Sequence, residues 1–318
     1  MKFTNIVLII IASVLFFSVS TGAQDYPANP VKIIIPFTAG SATDFVGRTV
    51  AKKLSEMWNQ PVEVENLPGS GGTVGASVVA EAPADGYTLL EYSSAYAVSP
   101  ALYKNLPYNP TKDFIDIAPL ASQPLALVVG ISSGLTSVAD VISKVKANPG
   151  EIKFGSPGIG SASHLAAEQF NIEAGIKVVH VPYKGGPETI TAIKDGTVTY
   201  SFLPLALAFK EGLKTLAVTS SKRSSALPDV PTIAETGLTG FESTVWWGIW
   251  APAGIPDSIA KKLEKDIAQA LAAPEVIEQF KSKKFEPMSM TSAEFAQFVQ
   301  KEMKTVKHIV EQAGIEAQ

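Results

Sequence analysis

VKIIIPFTAGSATDF, residues 31–45, decides the architecture of this chain. The run at residues 31–35 is rich in β-branched apolar side chains, which predicts a buried strand. Small neutral residues follow, and a helical pattern with apolar residues at three-to-four spacing then begins at Phe45 and continues through Val46, Thr49 and Val50. A strand, a loop of small residues and a helix form the first half of a βαβ unit, so the stretch predicts an α/β protein.

The same alternation of short apolar runs and helical patterns continues along the chain, which predicts a mostly parallel sheet. Strands are predicted at residues 31–36, 61–65, 87–92, 125–130, 152–155, 177–182, 197–202, 215–220 and 245–251. After Pro256 the pattern is helical, and no further strand is predicted. Ser137 with Asp140, and Thr291 with Glu294, have the spacing of capping boxes and mark two helix starts.

The C-terminal helices predict that the first domain is discontinuous, built from an N-terminal and a C-terminal part of the chain. Because no strand accompanies them, they are expected to pack onto the domain formed first. The chain would leave that domain near residues 122–124 and return through residues 246–250, so two segments would cross a hinge, with a cleft between two α/β lobes. The expected division places residues 24–124 and 247–318 in domain 1 and residues 125–246 in domain 2. A single large sheet is the alternative.

The N-terminus has the pattern of a secretory signal peptide. Lys2 precedes an apolar run at residues 6–17, and Thr21, Gly22 and Ala23 offer small residues for cleavage after position 23. A retained N-terminal anchor is the alternative. We therefore expect residues 1–23 to be removed and the mature protein to be exported to the periplasm.

Composition argues against several classes of function. The chain has 318 residues and a formal net charge of −4, which gives no basis for a nucleic-acid partner. It has no cysteine, so disulfides, thiolate metal sites and a cysteine nucleophile are excluded. Neither a GxSxG nor an HExxH motif occurs, and no catalytic residue, metal site or cofactor is predicted. An exported hydrolase is kept only as an alternative.

Two glycine- and serine-rich loops lead from a predicted strand into a helix, one in each expected lobe. Loop 1 is residues 36–44 (PFTAGSATD), and loop 2 is residues 156–164 (SPGIGSASH). Each would present unpaired backbone N–H groups at a helix N-terminus, where an anion is favoured. The ligand contacts predicted from the two loops are Phe37, Thr38, Ala39, Gly40, Ser41, Ala42, Asp44, Ser156, Gly158, Ile159, Gly160, Ser161, Ser163 and His164. The alternative for each loop is an ordinary helix N-cap, with Ser41 or Thr43 and Ser161 or Ser163 as the capping hydroxyl.

Several individual side chains have two possible roles. Asp44 is either an acid in the first turn of a helix or an acceptor for a ligand hydroxyl, amine or water. A neutral, donating imidazole is expected at His164 because its cation would oppose the helix dipole, whereas His180 is expected to be structural. Ser93 and Ser94 follow a predicted strand, where ligands bind in open α/β sheets. Tyr96 is either an aromatic wall of the site or a packing residue.

The chain resembles the TctC-like extracytoplasmic solute receptors, also called the Bug family, over essentially its whole mature length. The blocks that carry the resemblance are PFxxGxxxD (36–44), QPVxVEN (60–66), PGxGGxxG (68–75), ADGYTLL (84–90), PALYxNLPYxPxKDF (100–114), GSxGxGSxxHL (155–165), VHVPYKGG (179–186) and LAVTSxKRSxALPDVPTxAExG (216–237). The resemblance implies a two-lobed, type II periplasmic binding protein fold. It also implies a ligand carboxylate held by residues 38–44, with a second contact from residues 156–164. Tyr183, Leu203 and Pro204 complete the predicted ligand-binding residues.

The chain departs from the family pattern at two places. Ala39-Gly40-Ser41-Ala42 stands where many relatives have consecutive glycines, and Leu203-Pro204-Leu205-Ala206 stands where many have a Phe-Asp-Asn-like turn. The second change makes one wall of the cleft more apolar and favours a ligand with an apolar body.

The resemblance predicts a monomeric periplasmic receptor that captures a small carboxylate and delivers it to the membrane permease of a tripartite transporter. A receptor that reports its ligand to a sensor kinase is an alternative that the sequence leaves open.

Overall fold

The computed structural model describes residues 26–317, and the predicted signal peptide at residues 1–23 lies outside this part. Its strands are β1 (Val31–Ile35), β2 (Val62–Asn66), β3 (Thr88–Ser93), β4 (Phe114–Gly130), β5 (Lys153–Ser156), β6 (Val179–Pro182), β7 (Tyr200–Pro204), β8 (Leu213–Val218), β9 (Thr244–Pro252) and β10 (Glu286–Pro287). Its α-helices are α1 (Ala42–Trp58), α2 (Thr73–Ala80), α3 (Ala95–Leu102), α4 (Val138–Ala147), α5 (Ala162–Ala174), α6 (Gly186–Lys194), α7 (Leu205–Ala208), α8 (Asp257–Leu271), α9 (Pro274–Ser282) and α10 (Ser292–Gln312). Each predicted strand overlaps an observed one, and both predicted capping boxes are present.

The strands join into one mixed sheet with the spatial order β2-β1-β3-β9-β4-β7-β5-β6. β1 is parallel to β2 and β3, and β5 is parallel to β6 and β7. β9 is antiparallel to β3 and β4, and β4 is antiparallel to β7 and β8. The prediction of a mostly parallel sheet is therefore wrong at its centre, because the chain leaves one half of the sheet and returns to it in the opposite direction.

β4 is the strand that belongs to both halves of the sheet. It is 17 residues long. Residues 114–124 pair with β9, ending at Pro124 opposite Thr244, and residues 125–130 pair with β7 and β8. The first part of β4 was not predicted, because Asp116, Pro119 and Gln123 interrupt its apolar pattern. The prediction that no strand follows Pro256 is also wrong, because the two-residue β10 pairs with Ala121 and Ser122 of β4.

Separate apolar cores lie on the two halves, which we call lobe 1 and lobe 2. Lobe 1 contains β1–β3, β9, β10, α1–α3, α8–α10 and the first part of β4, and lobe 2 contains the remaining elements. In lobe 1, α1 and α8 cover one face of the sheet through Val46 and Leu263, and α10 covers the other through Phe295. In lobe 2, Phe170 of α5 and Ile193 of α6 belong to the cores of opposite faces. The strands thus form one sheet, while the apolar cores divide between two lobes.

An apolar seam joins the two lobes beside loop 2. Leu165 of α5, in lobe 2, packs with Val98 and Leu102 of α3 and with Val306 and Ile309 of α10. The C-terminal helix therefore contacts both lobes.

None of the helices within residues 26–317 has the length and apolar character needed to cross a membrane.

Candidate functional site

Loop 1 leads from β1 into α1 and is closed by its own side chains. Ser41 Oγ accepts the N–H of Asp44 at 3.1 Å, so Ser41, and not Thr43, caps the helix. Asp44 Oδ2 accepts the N–H of Gly40 at 2.8 Å. Gly40 has a φ of +80°, a conformation that favours glycine, and this turn brings the chain back toward the helix start. Residues 38–40 are exposed at the tip of the loop.

A charged network fixes loop 1 to the end of β2. Arg48 Nε donates to Asp44 Oδ1 at 2.9 Å, and Asn66 Nδ2 donates to the same oxygen at 2.8 Å. Arg48 Nη2 also donates to Asn66 Oδ1 at 2.8 Å. Burial opposes ionisation of Asp44, but the hydrogen bonds from Arg48, Gly40 and Asn66 outweigh it and hold the pKa of Asp44 below its usual value. Both oxygens of Asp44 are thus occupied within the loop, which fits a residue that shapes the site.

Loop 2 repeats this construction at the start of α5. Ser161 Oγ accepts the N–H of His164 at 3.2 Å, so Ser161, and not Ser163, is the capping hydroxyl. His164 Nδ1 accepts the N–H of Gly160 at 3.1 Å, as Asp44 does for Gly40. His164 and Ser163 are each 3% exposed, whereas Ile159 at the tip of the loop is 51% exposed.

The structure brings His180, which sequence analysis treated as structural, into contact with loop 2. His180 Nε2 lies 2.7 Å from Ser156 Oγ, and its ring stacks on that of His164 with centroids 3.9 Å apart. His164 accepts through Nδ1, so its proton is on Nε2, which faces Glu168 Oε1 at 3.6 Å. The imidazole of His164 is therefore turned into lobe 2, and its predicted role as a donor to a ligand has no support in this geometry.

Both helix starts keep backbone donors that the protein does not use. Among residues 26–317, the N–H groups of Ala42 and Thr43 in α1 have no hydrogen-bond partner. The same holds for Ala162 and Ser163 in α5. These are the first two amides of each helix, where the partial positive charge of the helix dipole is concentrated. The arrangement can hold an anionic group at either helix start.

A cavity of about 690 Å³ adjoins loop 1, with walls from both lobes. Pro204 and Ala206 form the lobe 2 side, opposite the first turns of α1 and the end of α9. Its volume lies in the range of small-molecule sites. The residues that line it are Gly40, Ser41, Ala42, Asp44, Phe45, Arg48, Thr49, Lys52, Gln123, Pro204, Ala206, Gln279, Lys283 and Phe285.

The cations of this cavity were not predicted from the sequence. Arg48 and Lys52 follow loop 1 on the next turns of α1, and Lys283 approaches from the end of α9. The helical spacing of four residues between Asp44 and Arg48 was a signal that could have found the ion pair.

Ser94 lies at a second cavity, of about 330 Å³, between the lobes. Ala162 at the start of α5 lines the same cavity, and so do Glu302 and Val306 of α10. The structure thus places the end of β3 beside the helix that carries loop 2, at a different cavity from the one beside loop 1.

Four predicted contacts lie in packed positions. Tyr96 is 1% exposed, stacks on Trp250 with centroids 4.2 Å apart, and donates to Pro110 O at 2.6 Å, as its packing alternative describes. Leu203 is fully buried in β7, and Ser93 is 7% exposed. Phe37 is half-buried against Tyr92, with ring centroids 5.7 Å apart.

Tyr183 is joined to loop 2 through its backbone. It is half-buried, and its N–H donates to Ser156 O at 2.8 Å. A larger cavity, of about 960 Å³, lies between α10 and the chain that follows α3, and none of the predicted site residues lines it.

An α/β fold of two lobes, with glycine-rich loops that begin a helix in each, is the fold of the periplasmic binding protein BugD, whose solved structure matches this chain with a TM-score of 0.74 at 32% identity and covers 92% of this chain and 100% of that one. A sequence model of the tripartite tricarboxylate transporter family receptors, TctC, matches residues 46–315. The chain belongs to this family.

Named relatives and solved structures agree with this membership. The protein BugT of Bordetella pertussis is 34% identical over 298 residues, which cover 92% of this chain and 91% of BugT. The structure of Rpa4515 from R. palustris with adipate has a TM-score of 0.78 at 32% identity and covers 92% of this chain and 100% of that one. MatC (Rpa3494) from Rhodopseudomonas palustris with bound malate has a TM-score of 0.73 at 30% identity and covers 90% of this chain and 100% of that one.

Proposed function

We propose that this protein is a periplasmic receptor that captures a small carboxylate between its lobes and delivers it to the membrane permease of a tripartite tricarboxylate-type transporter. Its family comprises receptors of such transporters, and two similar structures hold dicarboxylates, adipate and malate.

The observation that carries the proposal is the pair of unpartnered amides at each helix start. Ala42 and Thr43 in lobe 1, and Ala162 and Ser163 in lobe 2, offer N–H donors to an anion. A hydrogen bond to a charged group contributes about 1.5–3 kcal/mol. A few such bonds, less the cost of immobilising the ligand, correspond to a Kd of roughly micromolar, which suits a receptor that must release its ligand.

The direct test is a screen of carboxylates by thermal shift, followed by calorimetry. The panel should contain adipate, malate, longer linear dicarboxylates and aromatic monocarboxylates, with the corresponding alcohols as uncharged controls. Saturating ligand should raise the free energy of unfolding by about 2.7 kcal/mol at a hundredfold excess over Kd. Failure of every acid to stabilise the protein contradicts the proposal.

Single substitutions that remove one backbone N–H group can locate the bound anion. Ala42→Pro and Ala162→Pro each remove one free N–H at the first helical position, where proline is tolerated. The preceding residues, Ser41 and Ser161, have ψ of 168° and 154°, the extended conformation that proline demands. We expect each variant to raise Kd about tenfold or more. Asp257→Pro, at the first position of α8, is the matched control and should leave Kd unchanged. Wild-type affinity in both loop variants would place the anion elsewhere.

A further inference from the structure

His164 and His180 form a stacked pair directly behind loop 2. His164 belongs to α5 and His180 to β6, and their rings are 3.9 Å apart with an angle of 15° between the planes. Phe154 of β5 continues the stack at 4.8 Å from the His180 ring. Two imidazolium cations at this separation would repel each other strongly, so the geometry disfavours a charge on both rings at once.

Each ring holds one end of loop 2. His180 Nε2 lies 2.7 Å from Ser156 Oγ, which itself accepts the N–H of Gly158 at 3.2 Å. His164 Nδ1 accepts the N–H of Gly160 at 3.1 Å. The two attachments flank Ile159, whose side chain is exposed at the tip. The conformation of the loop therefore depends on both imidazoles.

Protonation affects the two attachments differently. A proton on His164 Nδ1 removes the acceptor for Gly160 and turns two N–H groups toward each other. His180 can donate through Nε2 to Ser156 Oγ in one tautomer or accept from it in the other, so its contact survives a change of state. Of the two rings, His164 is thus the one whose attachment to the loop depends on a free acceptor nitrogen.

Titratable neighbours of the pair come from two elements, α5 and β7. Glu168 of α5 lies 3.6 Å from His164 Nε2 and faces the side of the ring away from the loop. Tyr200 of β7 stacks on Phe154 with centroids 5.8 Å apart and donates its hydroxyl to Asn171 Oδ1 at 2.5 Å. Burial, followed by the proximity of His164, lowers the pKa of His180 to about 4. Gly160 also abuts Leu102 of lobe 1, so movement of the loop reaches the contact between the lobes.

We propose that His164 and His180 are positioning residues that hold loop 2 in its binding conformation as neutral imidazoles, and that protonation of the pair releases the loop and the bound carboxylate. The inference rests on the proposed function, because loop 2 is taken to contact the ligand. When a tenth of the molecules retain the neutral pair, the apparent Kd rises tenfold, because only that fraction is competent to bind.

The binding arm of the test compares adipate affinity at pH 7.5 and pH 4.0 in matched variants. In His164→Asn, the side-chain oxygen can replace Nδ1 as acceptor, and in His180→Gln the amide can replace Nε2, yet neither side chain titrates. The ratio of Kd at pH 4.0 to Kd at pH 7.5 should be larger in the wild type than in the double variant, by tenfold where the neutral pair falls to a tenth of the molecules. The protonation of adipate itself is the same for all proteins at each pH and cancels. Equal ratios overturn the proposal.

The chain offers an internal control. It has three histidines, and the third, His308, is exposed on α10. His308→Asn should keep the wild-type ratio. If His308→Asn abolishes the pH response instead, the pair is not its source.

A ligand-free arm separates this inference from the proposed function. In ¹⁵N NMR spectra, acidification should shift the amide of Gly160 together with the His164 ring nitrogens in the wild type, and His164→Asn should suppress the Gly160 shift. A Gly160 amide that does not follow His164 overturns the inference. If Gly160 follows His164 but no carboxylate binds at any pH, the positioning of the loop stands and the proposed function fails.

Discussion

Asp44 and His164 occupy equivalent positions in the two lobes: each is the third residue of its helix and accepts the N–H of a glycine four residues earlier. The bond from Gly40 to Asp44 Oδ2 is 2.8 Å long, and that from Gly160 to His164 Nδ1 is 3.1 Å long. In both loops the side chain accepts the N–H of the glycine that directly precedes the N-cap serine, and it leaves the N–H groups of the first two helical residues free. An acid and an imidazole thus serve one geometric purpose.

Asp44→Ala tests this purpose in lobe 1. We expect Kd for adipate to rise tenfold or more, because the turn at Gly40 loses its acceptor. The loss should be the same for malate, which carries a hydroxyl, because both oxygens of Asp44 already have partners within the protein. Calorimetry with both ligands measures this; a loss confined to malate would show that Asp44 bonds the ligand hydroxyl.

The matched control for this variant is Asp140→Ala. Asp140 is also the third residue of a capped helix, α4, which follows neither loop 1 nor loop 2. Both variants should lose some stability, because each removes the acceptor of a backbone N–H group that precedes its helix. Only the change at Asp44 should alter affinity.

Arg48→Met should weaken carboxylate binding about twofold to fivefold. The guanidinium is half exposed and neutralises Asp44, whose charge otherwise competes with a bound anion for the start of α1. Because salt screens exposed charges, the difference from wild type should shrink as ionic strength rises. Arg223→Met removes a guanidinium of similar exposure that pairs with Glu235, and it should have no effect on Kd at any salt concentration.

Gly160→Ala should destabilise the contact between the lobes. The glycine has a φ of +76°, and a Cβ there would lie 2.2 Å from Leu102 Cδ1 of lobe 1. Gly175→Ala, with a φ of +61° and open space around it, isolates the backbone effect at about 1 kcal/mol. We expect Gly160→Ala to cost more than this and to increase the radius of gyration measured by X-ray scattering.

Leu102→Ala supplies the second half of that experiment. Combined with Gly160→Ala, it should cost less than the sum of the two single changes, because the shortened side chain makes room for the methyl group. Strict additivity in urea unfolding would mean that the two residues do not meet in solution.

Glu91 should make the stability of lobe 1 depend on pH. It is fully buried in β3, and neither of its carboxyl oxygens has a hydrogen-bond partner among residues 26–317. Burial, with a smaller contribution from Asp44, raises the pKa of Glu91 well above its usual value of 4.5. The folded state therefore binds a proton that the unfolded state has released, and the free energy of unfolding falls as pH rises above 4.5.

Urea titrations at several pH values check this. Glu91→Gln should flatten the pH dependence, and Glu91→Met should stabilise the protein at pH 8 by about 1–3 kcal/mol. Glu63→Gln changes an exposed acid on β2 and should alter neither the pH dependence of stability nor the stability at pH 8. A wild-type slope retained in Glu91→Gln would assign the effect to another group.

The local parts of this structure could be predicted because they depend on neighbouring residues. The unit of β1, loop 1 and α1 follows from hydrophobic period and cap chemistry, and Ser41 and Ser161 were each one of two candidate caps. Asn66 and His180 could not be assigned to the loops. Each lies on a parallel strand beside the strand that leads into its loop, and each reaches the loop through strand register. A shift of one residue would turn either side chain to the other face, and a single sequence does not fix that register.

The continuity of β4 orders the completion of the two cores. Strands β5 to β8, with α4 to α6, lie between residues 130 and 218, so most of the core of lobe 2 can form before the C-terminal segment has been synthesised. The core of lobe 1 cannot be completed before Trp250 and Phe295 are present, because these residues from the C-terminal part of the chain belong to it. Folding of lobe 1 is therefore completed only when its N-terminal part packs against the C-terminal segment. A truncation after residue 243 should leave a folded lobe 2 attached to an incompletely folded lobe 1.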